Sequence, residues 1–205
     1  MKPHFKKERE LLGLGFDFIC GLDEAGRGAL AGPLVAGAVI LNPKTKRLFN
    51  DSKLLSRKKR EDLFEILKKI SIAWSTGIVS VEEINNFGIQ TANYLAFERA
   101  IQNLSIKPSF LLIDYYRLPG TNIPQSSITK GDRVSQSIAA ASIVAKVERD
   151  RMMTELENET LGYRFDKHMG YSTKLHQKMI IELGASELHR TKFIDKKGQN
   201  QLHFI

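Results

Sequence analysis

The sequence predicts an α/β protein, a mixed sheet with helices packed on it, and three observations carry that expectation. Short apolar runs alternate with longer amphipathic stretches. The first two runs lie too close together for a helical crossover, and a later one, Phe110-Leu111-Leu112-Ile113, is uninterrupted in the way of a strand buried on both faces. With 205 residues, 42% of them hydrophobic, one good core can form, so residues 1–205 read as a single domain with a helical C-terminal region and a short tail at about 193–205. The net charge of +8 favours a polyanionic partner, either nucleic acid or an anionic membrane surface. No apolar run approaches the ~18 residues of a membrane span, and Met1 to Glu8 lacks the apolar segment of a secretion signal, so a cytoplasmic protein is expected. Cys20 is the single cysteine; it can form neither an internal disulfide nor a thiolate zinc site and reads as a small core residue.

Taken in order, residues 1–12 form a Lys-rich leader expected to be loose. Phe16, Phe18, Ile19 and Leu22 mark a strand that stops at Asp23-Glu24, and Gly26-Arg27-Gly28 follows as a turn. Gly32 to Leu41 is its antiparallel neighbour, ended by Asn42-Pro43. A polar loop through Asn50-Asp51-Ser52-Lys53 leads to Ser56, the N-cap of a helix whose Leu63, Phe64, Leu67 and Ile70 share one face. A third strand spans Ile72 to Val79, followed by a short helix and a longer one over about 90–103. Pro108 introduces the strand Ser109 to Asp114, which again finishes at a carboxylate, and a short extended piece from Ser126 leads to Asp132. The longest helical pattern covers about 134–157, where Ala139, Ala140, Ala141, Ser142 and Ala145 allow close packing on the sheet. Helices over about 173–183, closed by Gly184, and near Glu187 precede a polar tail through Lys196-Lys197-Gly198.

Four carboxylates, Asp23, Glu24, Asp114 and Asp132, fall at strand ends or in the turns that follow. An oxygen-only set suits Mg²⁺ or Mn²⁺, and two such ions can activate water and stabilise the leaving oxygen in phosphodiester cleavage. Taken singly, Asp114 or Asp132 is an ordinary strand-terminating residue; their joint placement with the first pair argues for a site. Adjacent strand residues point to opposite faces, so Asp23 and Glu24 share a site only if the chain leaves the strand between them, which Gly26 and Gly28 make feasible. Other chemistries fit less well. Gly26 to Gly32 departs from a dinucleotide loop in spacing, is followed by a strand, and sits behind two acids that repel a pyrophosphate. His4, His168, His176, His189 and His203 form no zinc-protease motif and read as solvated or hydrogen-bonded residues, and no nucleophile elbow is present.

An ordered series of motifs, Gly21-Leu22-Asp23-Glu24-Ala25-Gly26-Arg27-Gly28, Asn50-Asp51-Ser52-Lys53, Leu112-Ile113-Asp114, Lys130-Gly131-Asp132, Ala139 to Lys146 and His168-Met169-Gly170-Tyr171, closely resembles the ribonuclease HII family of prokaryotic type 2 ribonucleases H. The resemblance covers most of the chain. It implies a ribonuclease H-like fold and a metal-dependent endonuclease that cuts RNA paired with DNA and incises 5′ of a single ribonucleotide in duplex DNA, leaving 3′-hydroxyl and 5′-phosphate ends. Asp23, Glu24, Asp114 and Asp132 match the metal-binding carboxylates, with two Mg²⁺ or Mn²⁺ ions expected alongside substrate. Gly26-Arg27-Gly28 matches the loop that meets the ribonucleotide 2′-hydroxyl, Tyr171 the tyrosine that packs on the next sugar, and Lys53 a phosphate contact. Outside the motif context, Tyr171 would read as a partly buried core residue, Lys53 and Arg190 as solvated, and Asp150 as a helix-surface salt-bridge partner.

Three departures stand out: Tyr115-Tyr116 follows Asp114 where the family commonly has glycine, Leu54 replaces a second lysine, and Met169 replaces the lysine before Gly-Tyr. The first would reshape the loop beside Asp114, and the others remove phosphate contacts. A reading from another class remains, a non-catalytic nucleic-acid-binding protein whose acids only shape its surface. The expected partners are RNA/DNA hybrid and ribonucleotide-containing duplex DNA, acted on by a monomer with no membrane association. Gln201, Leu202, Phe204 and Ile205 in the apolar tail either dock on the protein's own core or resemble the short peptides that engage a sliding clamp.

Overall fold

The computed structural model describes residues 2–45, 49, 55–160 and 162–198. Five strands, β1 (Ile19–Ala25), β2 (Leu34–Ile40), β3 (Ala73–Val79), β4 (Phe110–Asp114) and β5 (Gln125–Ile128), form one sheet in the order β3-β2-β1-β4-β5. The eight-residue link between β1 and β2 cannot hold a crossover helix, and these strands pair antiparallel, as do β2 and β3. Strands β4 and β5 arrive after helical or long connections and pair parallel, so the sheet is mixed.

The helices are α1 (Lys6–Gly13), α2 (Arg57–Ile70), α3 (Val81–Phe87), α4 (Ile89–Gln102), α5 (Gln136–Glu159), α6 (Phe165–His168), α7 (Lys174–Leu183) and α8 (Thr191–Gly198). Alternation along the strands assigns them to layers. Cys20 and Leu22 of β1 join Ala36, Ala38, Leu111 and Ile113 against Ala92, Ala96, Phe97 and Ala100 of α4. The other face takes α5 and α2, where Val39, Phe64 and Leu67 pack with Ala139, Ala140, Ala141 and Ile143. Here α5 lies so close that a Cβ at Gly21 would collide with the Ser137 carbonyl group, so glycine in β1 and alanines in α5 together set the separation of layers. Burial of a single large apolar side chain in these layers contributes about 1.5–3 kcal/mol. Ser56, Ser135 and Thr173 cap α2, α5 and α7 by accepting from the backbone three residues on.

The structure departs from the sequence reading in four places. The leader is anchored: Phe5 is buried in the α2–α5 cluster, and the fully buried Glu8 accepts from Ser135 Oγ at 2.6 Å and Ser137 N at 2.9 Å. A carboxylate placed there satisfies donors at the start of α5 and complements its positive dipole end, an attraction that a charge count along the chain does not reveal. Strand β1 begins later than its aromatic residues suggested and continues through both acids to Ala25. No helix forms near Glu187; instead α8 occupies the segment read as polar tail, and the four-residue α6 was not foreseen. Residues 199–205, which hold the clamp-like motif, lie outside the described residues.

Candidate active site

The parallel register of β1 and β4 pairs Leu22 with Ile113, so Asp23 and Asp114 are the next residues on neighbouring strands and share the α5 face of the sheet. Asp132 follows on a 3₁₀ turn over Gly131–Arg133 that leads into α5. This turn is tied to β4 by the Gly131 N–H, which donates to Asp114 Oδ1 at 2.7 Å. Asp114 and Asp132 accordingly line one cavity of ≈ 350 Å³ with Lys130 and Arg133. Because β1 runs on through Glu24, that side chain points to the opposite face and lines a second cavity, ≈ 490 Å³, with Arg27, Gln90 and Tyr116. Tyr115 borders both cavities. The structure therefore brings the three aspartates to one face and leaves Glu24 on the other.

Among the described residues, no three carboxylate, imidazole or thiol groups lie close enough to hold an ion together. The donor chemistry is still that of a hard cation site: Mg²⁺ is commonly held by one or two carboxylates, with substrate phosphate and water completing its shell. Asp114 and Asp132 supply such a pair, with Asp23 beside Asp114 on the neighbouring strand.

Across the end of β1, the loop from Gly26 to Pro33 is held from below by two arginines that are fully buried, Arg149 of α5 and Arg190. Arg190 donates to the carbonyls of Gly26 (2.7 Å), Arg27 (3.2 Å), Ala29 (3.1 Å), Gly32 (2.7 Å) and Pro33 (3.1 Å). Arg149 takes Ala31, Pro33 and Met169. Carbonyl oxygens thus solvate two like charges where water cannot. Burial, with Arg149 nearby, lowers the Arg190 pKa to about 9, which leaves it protonated at neutral pH. Gly26 has φ +94, and a Cβ there would strike Arg149 Nε, so both conformation and space demand glycine. Tyr171 closes the arrangement: its hydroxyl accepts from Gly26 N at 3.2 Å, and its ring lies beneath Arg149 and Lys146, at 5.2 and 5.3 Å. Arg27 leaves the loop on the other side, over the Tyr116 ring at 5.0 Å and 3.4 Å from Gln90 Oε1.

The profile of the ribonuclease HII family matches residues 20–196 of this sequence. The chain belongs to the ribonuclease HII family. A ribonuclease HII from Caldicellulosiruptor saccharolyticus is 46% identical over 192 residues, covering 93% of this chain and 94% of that one. The fold is similar to that of Archaeoglobus fulgidus ribonuclease HII, solved in complex with PCNA, with TM-score 0.72 and 25% identity over 86% of this chain and 95% of that one. It is also similar to Bst ribonuclease HIII, solved with Mn²⁺, at TM-score 0.67 and 16% identity over 91% of this chain and 70% of that one. The protein is thus a type 2 ribonuclease H, an endonuclease for RNA/DNA hybrids, with the ribonuclease H-like fold. The family assignment decides against a merely binding protein. No helix among the described residues is long and apolar enough to cross a membrane.

Of the ribonuclease HII motif positions, Gly26, Arg27, Gly28 and Tyr171 converge in one loop system, whereas Lys53 and Leu54 lie outside the described residues. Two readings of charged residues are corrected. Arg190 is the buried hub of the loop rather than a solvated residue, and Asp150, which does form ion pairs with Lys146 (2.7 Å) and Arg60 (3.4 Å), does so in the interior at 3% exposure. Nothing in the local sequence marks Arg190 as buried; its partners lie more than 150 residues away. Three of the histidines are hydrogen-bonded and stacked behind Tyr171. His168 and His176 have centroids 4.2 Å apart, His176 Nε2 is 3.1 Å from His189 Nε2, and His176 Nδ1 faces the Tyr171 carbonyl at 3.0 Å.

Proposed function

We propose that this enzyme hydrolyses the RNA strand of RNA/DNA hybrids and also incises 5′ of a single ribonucleotide within duplex DNA, leaving 3′-hydroxyl and 5′-phosphate ends, with Asp23, Asp114 and Asp132 as metal-binding carboxylates on one face of the sheet and Glu24 joining them from the adjoining cavity that Tyr115 also borders. The observation that carries the reading is the register Leu22 to Ile113, which makes Asp23 and Asp114 neighbours, together with the Gly131 hydrogen bond that brings the Asp132 turn to the same edge. Bound Mg²⁺ or Mn²⁺ would activate water and offset charge on the phosphate, and the Mn²⁺ bound by a ribonuclease HIII of like fold supports that choice. The chain's own residues do the rest. Arg190 and Arg149 fix the carbonyls of the Gly26–Pro33 loop inward, which leaves the exposed backbone at Gly28 to meet a 2′-hydroxyl, and Tyr171 offers its ring to the following sugar. Lys130 and Arg133 beside the acid pair, and Arg27 across from them, are placed for phosphates.

The test is cutting of a duplex with one embedded ribonucleotide under Mg²⁺ or Mn²⁺. Chelation should abolish it, and Asp114→Asn should cost more than the ~100-fold typical of losing an outer-shell partner. Undiminished cutting in chelator, or near-normal turnover by Asp114→Asn, would contradict the assignment. A second proposal concerns Gln201, Leu202, Phe204 and Ile205 as a sliding-clamp contact, supported by the PCNA complex of the Archaeoglobus fulgidus enzyme; unchanged clamp binding after deletion of residues 200–205 would dispose of it.

A further inference from the structure

Two tyrosines follow Asp114, and the structure treats them differently. Tyr116 is absorbed: its ring sits under Arg27 at 5.0 Å and edge-on to Tyr94 at 6.5 Å, and its carbonyl accepts from Ser127 Oγ at 2.7 Å. Tyr115 projects outward at 64% exposure, and its one ring contact among the described residues is the edge of Tyr116, centroids 5.0 Å apart. Its backbone lies in the left-handed region at φ 64, which a bulky side chain rarely adopts. That conformation is fixed from both sides, since Tyr115 N donates to the Ile128 carbonyl at 3.0 Å and Tyr116 N to the Asp114 carbonyl at 2.7 Å. A large, apolar, exposed ring is thus held in an unfavourable backbone state next to a carboxylate of the candidate site. Strain of this kind persists where a side chain's placement is needed.

The surroundings say what the ring can touch. It stands between the cavity lined by Asp114, Asp132, Lys130 and Arg133 and the cavity lined by Glu24 and Arg27. Cations on either side can take successive phosphates of one strand, but an aromatic face is no phosphate ligand. What it matches is the flat sugar-and-base face of the nucleoside between them. We propose that Tyr115 is a specificity-determining substrate contact, its ring packing on the nucleoside face of a nucleotide beside the cleaved bond. The inference rests on the reading that this edge cuts RNA in a duplex.

The experiment uses the full chain, Tyr115→Gly and Tyr115→Phe, on a duplex with one embedded ribonucleotide, measuring KM, kcat, the salt dependence of binding and the thermal midpoint. Glycine adopts φ 64 without strain, so Tyr115→Gly should fold with an equal or higher midpoint while KM rises about 5–150-fold, the range of one lost aromatic stacking contact. Its kcat should stay within about threefold, and its log–log salt slope should not change, because no phosphate contact is lost. Tyr115→Phe should match the unaltered enzyme. Equal KM for Tyr115→Gly and the unaltered enzyme would overturn the inference, as would a fall in kcat at constant KM, which would mean that the ring only shapes the Asp114 turn. A shallower salt slope would also overturn it, by making the contact ionic. If the unaltered enzyme cuts no ribonucleotide-containing duplex with Mg²⁺ or Mn²⁺, the underlying reading fails first, an outcome separate from equal cutting by the variant.

Discussion

The loop Gly26–Pro33 and the edge formed by Asp114, Tyr115 and Lys130–Asp132 flank the same end of the sheet, yet they are stabilised in opposite ways. The loop has its carbonyls gathered by two buried guanidiniums and is locked to Tyr171, whose neighbourhood is in turn packed by His168, His176 and His189. The acidic edge is shaped by short-range backbone turns, with Tyr115 at φ 64 and Lys130 at φ 56, and by the Gly131 to Asp114 hydrogen bond. If the loop reads a sugar hydroxyl as proposed, it benefits from groups fixed before the substrate arrives, since their ordering is then not charged against binding. The carboxylates of the edge, on the proposed function, gain by remaining adjustable even though the Tyr115 backbone between them is fixed, because they repel until a cation is present. On the proposed function, recognition of the sugar hydroxyl is preorganised in the loop on one side of β1, while on the other the carboxylates are assembled with metal and substrate beside the fixed Tyr115 ring.

Arg190→Met is the most severe way to break this contrast. It strips the loop of a donor to five carbonyls, and leaving buried acceptors without partners should cost about 3 kcal/mol or more of stability, with substrate affinity falling in parallel. Arg190→Lys should recover only part of the loss, because an ammonium lacks the planar fork that reaches all five. Denaturant unfolding of the two variants checks the order. Equal stability of Arg190→Met and the unaltered protein would show the cage to be dispensable.

A smaller effect follows from the histidines. Burial lowers the pKa of each, and His176, with His168 and His189 adding, falls from 6.5 to about 4. With the folded value depressed, the unfolded chain takes up protons first as pH drops. The stabilisation is therefore complete above pH 6.5 and is lost progressively toward pH 4. His176 alone should remove about 2 kcal/mol between about pH 7.5 and pH 5, and His176→Gln should flatten that part of the profile. A pH-stability curve identical for the variant and the unaltered protein would remove the imidazole stack from the account.

The same contrast explains what could be read from the sequence. Asp23, Glu24 and Asp114 were legible because each closes an apolar run, Asp132 only through the short extended piece before it, and Ser56, Pro108 and the alanines of α5 announced their elements through local preferences. The face of Glu24 was legible in principle from strand alternation, but only once β1 was known to continue through Ala25. Arg149, Arg190 and the anchored leader were not legible: a guanidinium surrounded by carbonyls from a distant loop looks in sequence like any charged residue, as does Glu8 beneath the start of α5. The motif resemblance supplied the activity, while long-range contacts supplied the reason the loop holds its shape.

The division of labour is tested most directly by measuring the dissociation constant and the single-turnover cleavage rate on one ribonucleotide-containing duplex for Asp114→Asn and for Tyr171→Ala. Asp114→Asn should bind within about threefold of the unaltered enzyme while its rate collapses by more than about 100-fold. Tyr171→Ala should show the reverse emphasis, with weakened binding and a smaller change in rate at saturation, because it removes the ring and the hydroxyl that meets Gly26 N. Matching losses of affinity and rate in both variants would contradict the claim that the Gly26–Pro33 loop with Tyr171 binds the ribonucleotide while the carboxylates across β1 cut.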